Sequence, residues 1–517
     1  MFRSAIFVTA LSLLLSVVGF ISQVLIAKYF GAGHLLDIFL TISSLPTLFA
    51  AVISSAMSYS LTPTMIDAKN RFVKGYDQFL GSFLISLTSL AAILAMVGCA
   101  LVYCFLGELY KFITITERDT ALVILVVSWL TVIGTVLNGF FTSQFNANQK
   151  FLQPVLLSFL PYLLAILFVV ILNNKFGIVS ISLGIFIGTI SSVVISYLIL
   201  KREISFIKAS DHIRSSVNAF FRQIPIAALA MLCFTIYQSI DAFWAPKLGP
   251  SNLSYLGYCQ RLLIAVGAIV ITGPSTVLVP RLTQAVIDQR NTDFLDDVSV
   301  VIKIIIALAS MMAVIGSLLA TDIIRVMFAR GAFTELDVKS VAQILPLMLV
   351  GMVFMLCVVI MFRMLFVKKE IKFVAILGIL SALLYFTLSG LAVSFGNLKT
   401  VGLAYIFTWL VLFLTCIGKL FAKEKAMFFN KANLVFIYKQ LFILLLIGAA
   451  TFGLKSLLTS LLDFSLMTNS ILIFGLCGLI STFFYIILSV KLIKQSEIIF
   501  LFNGILNMFR KPKIELK

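Results

Sequence analysis

The chain has 517 residues, of which 61% are hydrophobic and only 12% charged, and its formal net charge is +18. A soluble domain carries about 25% charged residues, and a mean hydropathy of +1.13 leaves more apolar surface than a water-facing fold can bury. The composition excludes a soluble enzyme or nucleic-acid-binding domain and points to an all-α, polytopic membrane protein, with room for about 14 transmembrane helices at roughly 20 residues each.

The first apolar run, 4–29, follows one basic residue, as a signal peptide would. No small-residue cleavage pattern comes after it, and apolar character continues to Tyr29, so the run reads as a retained first span. Further runs follow at 35–66, 77–106, 119–146, 152–173 and 178–200. A second series covers 217–247, 253–285, 296–328, 336–367, 373–395 and 401–421, and two more spans stand at 435–459 and 468–491. Gly19, Pro46, Pro63, Pro274 and Pro280 are candidate kink points. The seven cysteines all sit in apolar runs and form no C-x-x-C pair, so they read as small hydrophobic side chains. His34 and His212 have no ligand-like partner nearby in sequence, which gives a metal site little support.

Lysine and arginine set the orientation. With the N-terminus inside, one side of the membrane collects Lys69, Arg71 and Lys74, then Lys201, Arg202, Lys208 and Arg214. The same side collects Lys368, Lys369 and Lys372, then Lys419, Lys423, Lys425 and Lys431, and a basic tail from Lys491 to Lys517. The positive-inside rule then places both termini in the cytoplasm and favours an even number of spans. An internal repeat accompanies this pattern. Ser58, Leu61, Pro63 and Ala68 in "SYSLTPTMIDA" match Ser275, Leu278, Pro280 and Ala285 in "STVLVPRLTQA". "AKYFG" at Ala27 matches "APKLG" at Ala245 at nearly the same offset. Two parallel repeats predict two pseudo-symmetric six-helix lobes, 1–215 (helices 1–6) and 216–430 (helices 7–12), followed by helices 13 and 14 at 431–493 and a basic cytoplasmic tail at 494–517. Parallel halves suggest a central cavity and rocking-type alternating access.

Polar residues inside lipid are costly and should line such a cavity. Ser22, Gln23, Asp37, Asn138, Gln144 and Asn146 are the candidates in the first half; Gln238, Asp241, Gln260, Arg261 and Arg363 are those in the second. Arg261 lies near the middle of "YLGYCQRLLIAVGAIVITG". It either pairs with Asp241 on the neighbouring span or faces water and binds an anion, its planar fork fitting phosphate oxygens two at a time. Asp37 is either a carboxylate at a helix start or a cation or proton site. Arg363, near the cytoplasmic end of its span, reads as snorkelling to headgroups. In "ARGAFTELD", Thr334-x-x-Asp337 fits a capping-box-like helix start, and Arg330 falls near the outer mouth. No Walker A loop, H-E-x-x-H or clustered Ser, His and Asp appears, so neither ATP hydrolysis nor catalysis is expected.

"IAKYFGAGHLLDIF", "YSLTPTMIDA", "YCQRLLIAVGAIVITGPSTVLVPRLTQA" and "FARGAFTELD" together resemble the MurJ (MviN)-like lipid II flippase family of the multidrug/oligosaccharidyl-lipid/polysaccharide exporter superfamily. The resemblance spans about residues 15–425, in order. It implies a V-shaped cavity between two lobes and a groove of helices 13 and 14 for a polyprenyl tail. The implied task is alternating-access transfer of an undecaprenyl-diphosphate-linked saccharide, lipid II or a related peptidoglycan precursor, across the bacterial inner membrane. Arg261 falls on the family's cavity arginine of helix 8, and Asp37 falls on its helix 2 aspartate. The resemblance also shows departures: Ser16, Ser22 and the pair Ala50–Ala51 stand where the family has arginines. The expected substrate-binding residues are Arg261, Asp37, Gln23, Ser22, Gln260, Asp241 and Asn146. No cofactor is expected, with coupling to Na+, H+ or the membrane potential. The partners are the polyprenyl-diphosphate-linked glycan and membrane lipids, with no nucleic acid, and the chain is expected to be monomeric. Other readings are an O-antigen or capsule-unit flippase, a cation-coupled drug exporter of the same superfamily, and a membrane-embedded glycan polymerase, which would need larger outer loops.

Overall fold

The structure is a computed structural model that describes residues 2–72, 75–109, 113–207, 210–222, 224–287, 291–368, 370–421, 431–462 and 464–493. The expected basic tail at 494–517 lies outside the described residues. Helix follows helix: α1 (Phe2–Phe30), α2 (His34–Arg71), α3 (Tyr76–Leu109), α4 (Arg118–Ala147), α5 (Leu152–Leu157), α6 (Phe159–Phe176), α7 (Val179–Leu200), α8 (Asp211–Phe221) and α9 (Ile224–Trp244). The order continues with α10 (Asn252–Ile287), α11 (Asn291–Leu318), α12 (Ala320–Phe328), α13 (Glu335–Val367), α14 (Ile371–Ser394), α15 (Leu398–Leu420), α16 (Lys431–Leu461) and α17 (Leu466–Leu488). Twelve described stretches are long and apolar enough to cross a membrane. α9 and α10 stand at the two remaining expected spans, 217–247 and 253–285.

Three expected spans are subdivided. The span at 152–173 breaks at Ser158 between α5 and α6; Pro161 lacks the N–H that would close the turn there. The span at 296–328 breaks at Leu319. The expected start at 217 falls inside α8, a separate amphipathic helix whose buried residues Ile213, Val217 and Phe220 lie one turn apart. By contrast α2 runs unbroken through Pro46 and Pro63, which buried membrane helices tolerate because neighbouring groups re-satisfy the backbone.

The chain divides into two compact units that do not follow chain order. The first holds residues 1–261, 330–337 and 371–401. Its interior is aromatic, with Phe83 stacked on Phe140 and Phe221, and α9 meets α14 through Tyr237 and Tyr385, ring centroids 4.7 Å apart. On α7, Gly184 and Gly188 present a face on which any side chain would strike the α6 backbone at Ala165 and Pro161, the small-xxx-small packing that lets membrane helices approach closely. Across this unit Asp37 bonds Ser254. The two residues are 217 apart, the same offset that separates Pro63 from Pro280.

The second unit holds residues 262–329, 338–370 and 402–517. Ala307, Met311, Ile315 and Leu319 pack against Phe436, Ile443 and Ile447 of α16 and Ile473, Cys477 and Tyr485 of α17. Apolar contact between helices gains little in lipid, so polar pins matter there. Tyr485 donates to the Ala307 carbonyl at 2.9 Å, and Gln440 Nε2 donates to Tyr485 Oη at 2.9 Å and to Ser310 Oγ at 3.0 Å. A second pin uses charge. Buried Asp322 is 2.8 Å from Lys455 Nζ and accepts from Ser470 Oγ at 2.9 Å, while Arg325 lies 3.9 Å away and donates to Ser470 Oγ. Lys455 also donates to the Leu318 carbonyl at 2.8 Å, filling an acceptor that the break at Leu319 leaves open.

Removing one partner from a buried ion pair costs about 3–5 kcal/mol because a charge is stranded. Asp322→Ala strands Lys455, whereas Lys455→Met leaves Asp322 with Arg325 and Ser470. Thermal denaturation of the detergent-solubilised variants should show a markedly larger loss for Asp322→Ala than for Lys455→Met; equal losses would contradict this.

Candidate functional site

The first unit encloses a cavity of about 660 Å³. Its wall is drawn from α1 (Ser22, Gln23), α2 (Ser43, Thr47, Ala50, Ala51), α4 (Thr131, Thr135, Asn138), α7 (Ser182, Thr189), α9 (Gln238) and α10 (Gln260, Arg261). On α4 the lining residues Ser128, Thr131, Thr135, Asn138 and Thr142 recur at alternating steps of three and four, which keeps them on one helix face. Among the described lining residues no carboxylate appears.

Arg261 supplies the positive charge. Its Nη1 is buried with no hydrogen-bond partner, and its guanidinium carbon lies 5.3 Å from the centroid of the Tyr258 ring, one turn earlier on α10. The expected alternative, an ion pair with Asp241, is not formed among the described residues. Asp241 is 1% exposed and accepts from Tyr385 Oη at 2.6 Å and from Gln260 Nε2 at 2.6 Å. These two donors satisfy the carboxylate and hold Gln260 on the wall beside an arginine that pairs with no carboxylate among the described residues.

The expected site residues therefore separate. Ser22, Gln23, Gln260 and Arg261 share the cavity wall, and Asp37, Asp241 and Asn146 lie off it. Asp37 is 1% exposed; its Oδ1 accepts from Ser254 N at 2.7 Å and from Ser254 Oγ at 2.5 Å. It caps the first turn of α10 from another helix, the place where a carboxylate satisfies orphan N–H groups and meets the positive end of the helix dipole. Asn146 sits in the last turn of α4 and its carbonyl accepts from Gln149 N. Of the positions where arginines were expected, Ser22, Ala50 and Ala51 do border the cavity, while Ser16 is exposed and bonds back to the Ser12 carbonyl. The hydroxyl face of α4 was missed in sequence, although the three-four spacing of Thr131, Thr135 and Thr142 signals it.

Where α1 ends and α2 and α10 begin, a few residues from the lining residues Ile26, Phe39 and Leu253, the backbone forms a clasp. Gly31 and Gly331 both have φ of +61°, a conformation that glycine adopts without steric cost. A methyl on Gly31 would strike the Ala332 carbonyl, and one on Gly331 would strike the Lys28 carbonyl. Ala332 N donates to Lys28 O at 2.9 Å, and Tyr258 Oη donates to Gly31 O at 2.7 Å. Thr334 N donates to Asp337 Oδ2 at 2.8 Å while Asp337 N donates to Thr334 Oγ1 at 3.3 Å, the expected capping box. Asp337 Oδ1 also accepts from Tyr255 at 3.1 Å. The loop 330–337 is thus tied at both ends to the start of α10 and the end of α1. Phe333 meets the Tyr258 ring edge-on at 5.1 Å.

A bundle of membrane-crossing helices around a cavity that carries a guanidinium and many hydroxyl groups fits a multi-pass membrane transporter, and solved structures share this fold. A structure titled "Lipid II flippase MurJ, inward closed conformation" aligns with a TM-score of 0.75 at 20% identity, covering 97% of this chain and 100% of that one. An inward-facing multidrug resistance MATE family transporter of the MOP superfamily aligns with a TM-score of 0.59 at 15% identity, covering 81% of this chain and 95% of that one. The family model described as "Lipid II flippase MurJ" matches residues 26–493, and the chain belongs to that family. Among its relatives, a lipid II flippase MurJ of Burkholderia cenocepacia is 24% identical over 393 residues, 72% of this chain and 74% of the relative. A probable lipid II flippase MurJ of Buchnera aphidicola is 23% identical over 360 residues, 68% of this chain and 70% of the relative.

The clasp yields a direct test. An alanine at a left-handed position costs about 1–2 kcal/mol, and here the backbone collision adds to it. Gly331→Ala should loosen the closed end. A cysteine replacing Ala27, which is 0% exposed, in a background without the native cysteines, should then react faster with a membrane-impermeant maleimide than in the parent. Unchanged reactivity would mean that these glycines do not control closure.

Proposed function

We propose that this chain moves lipid II, or a closely related undecaprenyl-diphosphate-linked peptidoglycan precursor, across the bacterial inner membrane by alternating access. The observation that carries the reading is Arg261, a guanidinium on a cavity wall whose Nη1 has no hydrogen-bond partner and which pairs with no carboxylate among the described residues. A guanidinium suits a diphosphate, which offers several anionic oxygens at once. A cation exporter would need carboxylates on that wall, and the described lining has none.

In the proposed cycle the diphosphate takes the guanidinium while Gln23, Gln260 and the hydroxyl residues hold the rest of the headgroup. The polyprenyl tail stays in lipid along α16 and α17. Tyr258 links the two events, because it touches the guanidinium, donates to the clasp at Gly31 and packs on Phe333. Anion binding at Arg261 withdraws its charge from the Tyr258 face and weakens the closed end, which favours opening. The two six-helix lobes, 1–215 and 216–430, rock about this line, and both termini face the cytoplasm. The protein works as a monomer without a cofactor, does no catalysis, and draws on Na+, H+ or the membrane potential to reset.

Losing a hydrogen-bonded charge contact costs about 1.5–3 kcal/mol, roughly 10- to 150-fold. Arg261→Ala should lower lipid II transfer in proteoliposomes by that factor, and Arg261→Lys should retain part of it, since a point charge lacks the fork. Full activity of Arg261→Ala at normal expression would remove this residue from the mechanism.

A further inference from the structure

Asp241 lies behind the cavity wall and has no part in the proposed cycle. It is 1% exposed, and its partners among the described residues are both neutral: Oδ1 accepts from Tyr385 Oη and Oδ2 from Gln260 Nε2. An ionised carboxylate can only accept hydrogen bonds, so it compels the Gln260 amide to point its nitrogen inward. Gln260 borders the cavity, as does Arg261, the next residue on α10. The other amide atom, Oε1, has no hydrogen-bond partner among the described residues. The wall beside the guanidinium therefore shows the cavity a carbonyl oxygen, which welcomes N–H and O–H groups and repels the oxygens of an anion.

A proton on the carboxyl reverses this arrangement. A protonated carboxyl gains one O–H donor. Placed on Oδ2, that hydrogen would face the N–H of Gln260. The amide relieves the clash by a half-turn of its last torsion, which is broad and roughly two-fold. Oε1 then accepts from the carboxyl, and the NH2 group faces the cavity. Placed on Oδ1, the proton would instead displace the hydrogen of Tyr385, which is 0% exposed and would need a new acceptor inside the protein. Gln260 is half-buried and turns toward open space, so the proton settles on its side.

We propose that Asp241 is a proton-operated positioning residue: by turning the Gln260 amide it switches the wall beside Arg261 from acceptor to donor, so that proton uptake tightens the hold on a phosphate group. This inference rests on the flippase reading and names H+ as the ion that tunes the grip. The coupling is reciprocal, because a bound anion must then hold the proton more firmly by the same factor. Other ionisable groups stand on the elements packed here. Tyr237 of α9 stacks on the Tyr385 ring, Asp37 of α2 is held by Ser254, and Lys247 lies over the rings of Phe243 and Trp244. Neither these nor Arg261 bonds Asp241 among the described residues.

The test measures the affinity of the purified full chain for lipid II from mildly alkaline to mildly acidic pH, first at fixed and then at varied Na+. Both phosphates of lipid II are esterified, so their charge stays constant over this range. The parent should bind about tenfold more tightly at the acidic end, where Asp241 is protonated. Asp241→Asn cannot lose a proton and donates permanently to Gln260 Oε1. It should bind at every pH as tightly as the parent does in acid. Gln260→Leu removes the amide and should bind weakly, with no dependence on pH. Equal affinity of the parent at both ends, or a pH response that survives in either variant, overturns the switch while leaving the function intact. An affinity that follows Na+ in place of pH overturns it as well. Where Asp241→Asn fails to fold, Gln260→Leu decides alone. A parent that binds no lipid II at any pH defeats the flippase reading itself, and the switch with it.

Discussion

A guanidinium held in a membrane protein without a counter-ion among the described residues is the constraint on which the site depends. Insertion of an arginine at the centre of a bilayer costs about 2.5–3.5 kcal/mol even on the mildest scale. The neighbourhood contains a means of cancelling that charge, because Asp241 is close in the fold to Gln260. Yet Asp241 is occupied by Tyr385 and Gln260. Asp241 therefore does not neutralise Arg261. Such a group is tolerable only beside a space that can admit water or a polar ligand, and a cavity of about 660 Å³ lies there. The cavity and the charge explain each other.

The same stretch of α10 carries the closure. Ser254, Tyr255, Tyr258 and Arg261 follow one another within two turns. Ser254 is held by Asp37, Tyr255 by Asp337, and Tyr258 by Gly31. One helical stretch therefore carries both the arginine on the cavity wall and the contacts to the clasp. Helical rise fixes the spacing at about 1.5 Å per residue, so a shift of the arginine is passed to the clasp without any flexible joint between them. The two glycines of the clasp serve the same economy: backbone-to-backbone contact closes the end without side chains that would have to be withdrawn on opening.

Much of this was legible in the sequence, for identifiable reasons. Apolar length marks spans because lipid offers no other partner for the backbone. Arg261 stood out because a charge in an apolar run has few explanations, and the capping box at Thr334 and Asp337 is local in sequence. What failed to show was long-range pairing. Asp37 and Asp241 were expected on the cavity because an intramembrane carboxylate is usually functional. Their partners, Ser254 and Tyr385, lie 217 and 144 residues away, and nothing local announces them. The breaks at Ser158 and Leu319 were hidden because hydropathy does not sense a lost backbone bond. The hydroxyl face of α4 escaped because serine and threonine are nearly neutral on hydropathy scales and merge into apolar runs.

The missing arginines of the first lobe bear on how such a cavity works. Ser22, Ala50 and Ala51 border the space where the resemblance led us to expect more cations. Each charge-assisted contact to a phosphate contributes about 1.5–3 kcal/mol, so several would hold a diphosphate tightly and slow its release. On the proposed reading, Arg261 with neutral neighbours would grip the anion only moderately, and uncharged hydrogen bonds, which reject the wrong headgroup by leaving groups unsatisfied, would carry more of the discrimination. A carrier must let go on the far side as readily as it takes hold. If Arg261 takes the phosphate as proposed, a described wall with one guanidinium and many hydroxyls suits that demand, because a single charged contact is easier to release than several.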